Sequence, residues 1–295
     1  MLVDIHCHIF NRQIVKNMND RPALVEELKL NVHDSIPRLD PHALQESAQL
    51  HGIDLCVLLP TAAPARVSAE NDRFMAFANQ FSRIRTFATL HPMMHHLSEE
   101  IRRMLDLGII GFKFSSFSQR FDLLSPEAAF MLAELERATH SGSVQPIVVF
   151  DTFVRGDSYF GTDPKHITTP SKLARLVRRH PGLVFVGAHM GGLLADFDQL
   201  RRELRPEPNL YVDTSNAAHI FTERQFVELL QIHGSSRVLF GTDWPWFYHS
   251  AELPKIKSLL AKAGYDETDQ AAVLGGNARR ILGVPEPARI DEIAG

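Results

Sequence analysis

Two histidines that lie two positions apart near the start of the chain are its strongest chemical signal. The triplet His6-Cys7-His8 follows a short apolar run. If this run is a β-strand, alternate side chains point to the same face, so both imidazoles lie on one side and Cys7 on the other. Neutral imidazole is a common metal ligand, and the pair predicts half of a metal site. Two histidines that simply cap a half-buried strand are the alternative interpretation.

Further polar residues stand at the ends of apolar, strand-like runs. These residues are His91, Lys113, Asp151, His189 and Asp243. His189 precedes a flexible Gly-Gly pair, which favours a functional role over a structural one. Asp243 ends the last predicted strand, and closure of a barrel would bring it opposite His6 and His8. A buried carboxylate needs a partner such as a divalent metal ion or an imidazolium.

The elements that would position these residues alternate regularly. Short apolar or β-branched runs alternate about eight times with amphipathic stretches of helical length. Strands are predicted at 2–8, 53–60, 85–90, 109–115, 146–152, 183–189, 210–215 and 238–243. The first strand is not followed by Gly-x-Gly-x-x-Gly, which argues against an open dinucleotide-binding sheet. The sequence therefore predicts an α/β protein with a (β/α)₈ TIM barrel and a C-terminal helical extension.

The length of 295 residues suits one barrel domain, and we expect residues 1–295 to form it. Residues 11–40 and 153–169 form long stretches without a regular pattern, and both follow strands, so we expect them to shape or cover the pocket. Residues 251–264 are predicted as the last barrel helix and the segment through Gly283 as the extension. The final dozen residues are predicted to be a loose tail.

The composition excludes several classes of protein. With 44% hydrophobic residues, 22% charged residues and a net charge of -4, the chain has a globular composition, and no nucleic-acid or membrane partner is expected. No apolar stretch approaches 18 residues, which favours a cytoplasmic location. Cys7 and Cys56 both fall in apolar runs, where small buried hydrophobes are expected rather than a disulfide.

Six segments carry a resemblance to a known family. They are His6-x-His8, Gly-Phe-Lys at 111–113, Ala-His-Met-Gly-Gly at 188–192, Tyr-Val-Asp-Thr-Ser at 211–215, Phe-Gly-Thr-Asp-Trp-Pro at 240–245 and Gly-Asn-Ala-Arg-Arg-Ile-Leu at 276–282. In this order the chain resembles the amidohydrolase superfamily, and within it the amidohydrolase-related branch of hydrolases and nonoxidative decarboxylases. The resemblance covers nearly the whole chain and implies a (β/α)₈ barrel, often assembled as a homo-oligomer.

The same resemblance implies one divalent metal ion, most often zinc, with manganese as the other possibility. Its ligands would be His6 and His8, a residue of the fifth strand and Asp243. His189 matches the sixth-strand histidine, which in this branch is a metal ligand or a catalytic group. Asp213 shares a face with Ser215 on the seventh strand, so it could support a ligand from inside the barrel.

The fifth strand departs from the family pattern. Phe150 occupies the position at which this branch usually has a histidine, and Asp151 follows one residue later. Asp151 could replace the histidine as a zinc or manganese ligand, provided that a bulge or a one-residue shift turns it inward. Alternatively, Asp151 is a solvated loop acid. In that case His6, His8, His189 and Asp243 would hold the metal.

Lys113 has three possible roles. It could be a carboxylated bridge between two metal ions, a cation that binds a substrate carboxylate, or a partner in a structural ion pair. We favour the last two, because a strand-end ammonium is well suited to holding an anion. His91 and Trp244 are also predicted to contact substrate, although a hydrogen-bonded structural histidine and a rim-packing tryptophan are the alternatives.

These residues predict a metal-dependent hydrolase. A metal-activated water would attack a small carboxylic ester, lactone or amide. Asp243 would accept the proton of the water, and His189 would polarise the carbonyl group. The substrate would carry a carboxylate if Lys113 binds one. A nonoxidative decarboxylase of an aromatic or unsaturated carboxylic acid is the alternative, because it would use the same parts. A barrel that has lost its metal and only binds a small molecule or a protein partner is a third hypothesis, motivated by the absent fifth-strand histidine.

Overall fold

Eight parallel strands form the centre of the molecule. The computed structural model describes residues 1–138 and 145–285, so nearly all of the predicted tail lies outside the described residues. The strands are β1 Val3–Cys7, β2 Leu55–Leu58, β3 Ile84–Thr86 continued by Ala88–Thr89, β4 Gly111–Phe114, β5 Ile147–Phe150, β6 Val184–Gly187, β7 Leu210–Asp213 and β8 Val238–Leu239. All eight predicted strands are present; seven lie within the predicted bounds and are shorter, whereas β3 begins one residue earlier than predicted.

Helices follow each strand and cover the outside of the barrel. They are α1 Arg12–Asn19, α2 Pro22–Leu28, α3 Val32–Ser35, α4 Pro41–Leu50, α5 Val67–Ala78, α6 Leu97–Asp106, α7 Ser116–Gln119, α8 Pro126–Ala138, α9 Gly156–Phe160, α10 Pro170–Arg179, α11 Phe197–Glu203, α12 Ala217–Ile220, α13 Glu223–His233, α14 His249–Lys262, α15 Glu267–Ala271 and α16 Asn277–Ile281. Short 3₁₀ segments and one π-helical turn, Ala272–Gly276, connect some of them. Within residues 1–138 and 145–285, no helix has the length and apolar character needed to cross a membrane.

Hydrogen bonds join the strands into a closed ring. Neighbouring strands pair in parallel along the order of the chain. The amide of Phe87, which interrupts β3, donates to the carbonyl of Leu58 at 2.9 Å and so continues the ladder. At the other seam Ile5 N donates to Phe240 O at 3.0 Å and Asp243 N donates to His6 O at 2.9 Å. The predicted (β/α)₈ barrel is confirmed.

The two segments predicted to be irregular are partly helical. Residues 11–40 contain α1, α2, α3 and a 3₁₀ turn, and residues 153–169 contain α9 and another 3₁₀ turn. The prediction of irregular structure was wrong, because these helices are short and too rich in polar residues to show a long apolar period. Their predicted place is right, because side chains from both segments line the cavity at the carboxyl ends of the strands.

Side chains fill the barrel interior below this cavity. The interior cluster includes Val3, Ile5, Val57, Phe87, Ile147, Val149, Val186, Tyr211 and Leu239, with Ala278 of α16 packed against it. Phe87 occupies the space next to Gly111 on β4, where an added Cβ would lie 2.2 Å from the Phe87 ring. A glycine is therefore required at this position by the close approach of an aromatic ring.

We expect Gly111→Ala to lower the free energy of unfolding by about 2 kcal/mol, because overpacking forces the Phe87 ring or the backbone to move. Urea denaturation monitored by circular dichroism would measure the change. In the double variant Gly111→Ala/Phe87→Leu the smaller side chain provides space, so the double variant should be more stable than the sum of the single effects predicts. Strict additivity would contradict this account of the interior packing.

A β-bulge lies in β1. Asp4 pairs with Cys56, whereas Cys7 pairs with Leu58, so β1 has one residue more than β2 in the same interval. A bulge of this kind turns two successive side chains towards one face. It lies next to the predicted metal-binding histidines and determines which side chains of β1 enter the barrel.

Because of the bulge, Ile5 and His6 both face the inside of the barrel. Ile5 belongs to the interior cluster, while Cys7 belongs to the cluster between barrel and helices. His6 and His8 share the interior side with Cys7 opposite, as the spacing predicts. Cys7 and Cys56 are free and buried.

Asp4 links β1 to the end of β8 and to α14. Its Oδ1 accepts hydrogen bonds from the amides of His6 and Thr242, each at 3.0 Å. Its Oδ2 accepts hydrogen bonds from the Thr242 hydroxyl at 2.5 Å and from His249 Nε2 at 3.0 Å. Burial opposes protonation of His249, but the hydrogen bonds to Asp4 and Cys56 raise its pKa to about 10. This buried network holds the two ends of the barrel seam together.

Candidate metal centre and active-site cavity

A cavity of about 430 Å³ opens at the carboxyl ends of the strands. Its floor is polar and includes His8, Lys113, Asp151, His189, Asn216 and Asp243. Its outer wall is mainly apolar and includes Phe10, Ile14, Leu24, Leu28, Phe117, Phe153, Phe160, Leu193 and Trp246. A concave site with a few convergent polar groups and an apolar wall is typical of small-molecule binding.

Two of the imidazoles at the floor have a defined orientation. His8 Nδ1 lies 3.1 Å from the carbonyl oxygen of Leu59, and His189 Nδ1 lies 2.9 Å from that of Ser215. Because a carbonyl oxygen can only accept a hydrogen bond, each Nδ1 carries the proton, and each Nε2 of the neutral ring presents a lone pair. The lone pairs of both rings are therefore available to a cation in the cavity.

His6 is held in the same way by a carboxylate. Its Nδ1 lies 2.9 Å from Asp213 Oδ2. Burial, with Lys113 nearby, lowers the pKa of His6 to about 4, so the ring is neutral at pH 7. Burial alone would raise the pKa of Asp213, but the adjacent His6 keeps it well below its usual range. Asp213 Oδ1 also accepts from the amides of His189 at 3.0 Å and Ser215 at 3.1 Å, which fixes the carboxylate.

Three acceptor atoms converge at one point between β1 and β8. The Nε2 atoms of His6 and His8 are 3.1 Å apart, and Asp243 Oδ1 lies 3.4 Å from His8 Nε2 and 3.8 Å from His6 Nε2. Lone pairs at this separation repel one another unless a cation lies between them. A tetrahedral site with metal to ligand bonds of about 2.0 Å has ligand separations of about 3.3 Å. The residues therefore fit a divalent metal ion.

Asp243 reaches this point because the backbone turns sharply after β8. Its φ is 65°, in the left-handed region, where aspartate and asparagine are tolerated better than most residues. Burial would raise the pKa of Asp243, but the neighbouring imidazoles of His8 and His189 lower it to about 2. The carboxylate is therefore ionised at neutral pH, as a metal ligand or a general base requires.

The expectation of a bulge or shift in the fifth strand was wrong. Ile147 and Val149 face the barrel interior, and Asp151 occupies the next position on the same face by simple alternation. Phe150 points outward and stacks against Phe114, with ring centroids 5.2 Å apart. Phe150 thus contributes to the packing of the helices on the barrel and places no side chain in the cavity.

Asp151 lies beside His189 rather than beside the first-strand histidines. Its Oδ1 is 3.9 Å from His189 Nε2, and its Oδ2 accepts a hydrogen bond from the Ser115 hydroxyl at 3.1 Å. The ligand groups that come within 4.8 Å of one another in the described residues include His6, His8 and Asp243, but not Asp151. His189 lies at an intermediate distance from this set of ligand atoms, since its ring centroid is 5.0 Å from that of His6.

Lys113 has an unsatisfied ammonium group. Only 1% of the residue is exposed, and Nζ has no hydrogen-bond partner in the part of the chain that the structure describes. Burial lowers the pKa of Lys113, while the charges of Asp151, Asp213 and Asp243 oppose this shift. The interpretation of Lys113 as a structural ion pair is therefore wrong. A buried cation without a partner that lines a cavity suits an anionic group of a ligand.

The structure places neither His91 nor Trp244 on the cavity wall, in contrast to the prediction. His91 Nε2 lies 2.9 Å from the Gln119 carbonyl, and its Nδ1 accepts from the Met93 amide at 3.1 Å, so both ring nitrogens are occupied. The ring of Trp244 does not line the cavity and stacks on His249, with ring centroids 5.4 Å apart. Trp246, two residues after Trp244, lines the cavity instead.

Sequence reasoning missed Asn216 and the roles of Leu59 and Ser215. Asn216 lies on the cavity floor, directly after the predicted seventh strand, so its position at a strand end was the available signal. The carbonyl groups of Leu59 and Ser215 orient histidines through backbone atoms, which side-chain identity does not reveal. Only the arrangement of neighbouring strands shows these contacts.

A closed parallel barrel with a His-x-His strand opposite an aspartate defines a TIM-barrel protein with a candidate metal centre. The family model described as amidohydrolase matches residues 3–284, so the chain belongs to the amidohydrolase family. The predicted family is confirmed.

One relative by sequence is L-fucono-1,5-lactonase from Burkholderia multivorans (strain ATCC 17616 / 249). It is 30% identical over 115 residues, which cover 38% of this chain and 35% of the lactonase. The match therefore spans about a third of that relative.

Two solved structures share the fold over nearly their whole length. A 5-carboxyvanillate decarboxylase from Novosphingobium aromaticivorans DSM 12444, complexed with manganese and 4-hydroxy-3-methoxy-5-nitrobenzoic acid, has a TM-score of 0.70 and 15% identity, with 96% of each chain covered. An amidohydrolase from Burkholderia multivorans with bound zinc has a TM-score of 0.66 and 17% identity, with 97% of this chain and all of that chain covered. Both hydrolytic and decarboxylating proteins thus occur on this fold.

Proposed function

We propose that the protein is a metal-dependent hydrolase of small, carboxylate-bearing esters, lactones or amides. The observation that carries the proposal is the convergence of His6 Nε2, His8 Nε2 and Asp243 Oδ1 within 3.8 Å of one another on the floor of the cavity. The partial match to a lactonase also supports hydrolysis over other chemistry. Because one fold can support many different reactions, the reaction type is inferred from the residues of the site.

His6, His8 and Asp243 would hold one divalent ion, zinc or manganese, with His189 as a further candidate ligand and Asp151 as a more distant one. Such an ion lowers the pKa of a bound water and so supplies a nucleophile at neutral pH. The Asp243 carboxylate would accept the proton of the attacking water. Asp213 and the Leu59 carbonyl keep the two histidines in the tautomer whose Nε2 is free.

His189 and Lys113 act on the substrate. His189 has two alternative roles: it would bind the ion through the Nε2 lone pair, or its imidazolium form would donate from Nε2 to the carbonyl oxygen, with the Asp151 carboxylate 3.9 Å away. The Lys113 ammonium binds a carboxylate of the substrate and thereby orients the scissile bond over the metal centre. The apolar outer wall excludes water from the rest of the ligand.

A nonoxidative decarboxylase of an aromatic acid is the second candidate. One observation favours it: a buried ammonium, Lys113, shares a cavity with the rings of Phe117, Phe153, Phe160 and Trp246. This combination suits an aromatic ring that carries a carboxylate.

We also propose a cytoplasmic location, which is supported by the free, buried cysteines.

We expect the purified protein to contain about one equivalent of zinc or manganese, as the convergence of His6, His8 and Asp243 implies. His6→Ala should lose the metal and the activity together, because it removes the central ligand. His95→Ala is the matched control, since His95 is exposed and does not line the cavity. Elemental analysis of the three proteins would measure the effect.

The activity assay separates the remaining hypotheses. A panel of lactones, esters, amides and aromatic carboxylic acids should show release of acid for a hydrolase and release of CO₂ for a decarboxylase. Two equivalents of metal would support a carboxylated Lys113 bridge instead of a carboxylate-binding one. Absence of metal after reconstitution would contradict the proposed mechanism and favour the binding-protein hypothesis.

A further inference from the structure

Asn216 is a second polar residue of the cavity whose side chain is left unsatisfied. It is 1% exposed and lines the cavity floor after β7, three strands around the barrel from Lys113 on β4. Within residues 1–138 and 145–285, its Oδ1 has no hydrogen-bond partner. A buried amide oxygen without a partner is costly, and such groups are rare in native proteins.

The local backbone accounts for an asparagine at position 216, because this residue tolerates a positive φ, but it provides no partner for the side-chain oxygen. It precedes the one-turn helix α12, a position at which asparagine often accepts a hydrogen bond from a backbone amide of the helix. Here its φ of 53° lies in the left-handed region, and the side chain makes no capping hydrogen bond. Exchange of the amide oxygen and nitrogen would leave a buried NH₂ group in the same place, so the amide would still have one unsatisfied end.

The two unsatisfied groups require complementary partners. Lys113 Nζ is a donor with a positive charge and needs an anion, whereas Asn216 Oδ1 is a neutral acceptor and needs a hydroxyl or amino hydrogen. On the same floor, Asp151 lies 3.9 Å from His189, His189 Nδ1 donates to the Ser215 carbonyl, and Asp243 lies 3.4 Å from His8. One ligand in the cavity can satisfy both Lys113 and Asn216 if it carries both types of group.

We propose that Asn216 determines specificity by accepting a hydrogen bond from a hydroxyl group of the substrate while Lys113 binds the substrate carboxylate. The inference rests on the proposed function and narrows its substrate class to hydroxy-substituted carboxylic acid derivatives. An apolar ring between the two groups matches the phenylalanine and tryptophan side chains of the outer wall. A site with a buried hydrogen-bonding group rejects an analogue that lacks the matching group, because the protein atom then stays unpaired.

The test compares the binding of benzoate, 3-hydroxybenzoate and 4-hydroxybenzoate by isothermal titration calorimetry. The 2-hydroxy isomer is omitted because its adjacent groups chelate metal ions. We expect at least one hydroxybenzoate to bind wild-type protein about tenfold more tightly than benzoate. Asn216→Gly should abolish this preference, because it removes the amide and retains the positive φ without strain. Lys113→Met should weaken all three ligands by a similar factor.

Asn17→Ala is the matched control. Asn17 lines the rim of the same cavity, but its Oδ1 already accepts a hydrogen bond from Gln13 at 2.8 Å, so its loss should leave the preference unchanged. Asn216→Ala serves as a second variant, and thermal melts confirm that each variant is folded. A preference that persists in both Asn216 variants, equal binding of all three probes, or no binding at millimolar concentration would overturn the inference.

Binding and turnover are separate readouts. If the hydroxybenzoate preference depends on Asn216 but no ester, lactone or amide is hydrolysed, the proposed function fails and the assignment of Asn216 stands. If hydrolysis occurs and the Asn216 variants discriminate as the wild type does, the assignment fails and the proposed function stands. This second result is also the one expected if a water molecule, rather than the substrate, donates the hydrogen bond to Asn216.

Discussion

Asp243→Asn should lower kcat/KM by about 10³-fold on any ester or lactone that the protein hydrolyses. The asparagine side chain has nearly the same shape and tolerates the φ of 65° at this position, so the fold should persist. What is lost is the negative charge that, in the proposed mechanism, would bind the metal next to His6 and His8 and accept the proton of the attacking water. Steady-state kinetics with parallel metal analysis would measure the effect.

Asp151→Asn is the matched control for this prediction. It is the same substitution on the same cavity floor, but Asp151 stands beside His189 and apart from the convergent ligand set. We expect kcat to fall by no more than about tenfold, because the loss of one charge interaction beside His189 is on the order of one pKa unit. Equal losses in the two variants would show that the two carboxylates share the catalytic role, which would contradict the assignment of Asp243 as the base.

The second large effect concerns stability. Asp4→Ala should lower the free energy of unfolding by about 3 to 5 kcal/mol, because it leaves a buried, charged His249 without its partner. It also removes the acceptor for the amides of His6 and Thr242 and for the Thr242 hydroxyl. Each unsatisfied buried donor adds to the cost. Urea denaturation would measure the change through its midpoint and slope.

Asp4→Asn tests the origin of this effect. The asparagine oxygen can still accept the two backbone amides, while the charge next to His249 is lost, so the variant should lie between wild type and Asp4→Ala. Asp54→Asn is the control, because Asp54 on the approach to β2 has a side chain that is 47% exposed and should contribute little. A small effect of Asp4→Ala would contradict the view that this network holds the barrel seam.

Much of this protein follows from local sequence pattern. The alternation of apolar runs and amphipathic stretches was sufficient to predict eight strands and the closed barrel, because parallel strands buried on both faces are strongly apolar. The two-residue spacing of His6 and His8 placed both rings on one face by the geometry of a strand alone. Strand-end positions also identified Lys113, His189 and Asp243 as residues of the cavity, since barrel loops meet at one face.

Side-chain direction at strand ends was less predictable. His91 and Trp244 were expected in the cavity, but each leaves its strand at a position that points away from it. Asp151 was expected to need a bulge, yet it faces the cavity by alternation from Val149. Side chains of a strand alternate between the two faces of the sheet, so an error of one residue places a side chain on the wrong face. The register of each strand end must therefore be known.

The sequence by itself determined the barrel, the family and the presence of imidazole and carboxylate groups at its mouth. Only the tertiary structure decided which of them converge, because the distance of 3.4 Å between His8 Nε2 and Asp243 Oδ1 depends on closure between residues 235 positions apart. It also decided that Lys113 and Asn216 lack partners within the described residues. A hydrogen bond requires a short distance between two atoms, and these atoms often belong to segments that are far apart in the sequence. A local sequence pattern does not determine such distances.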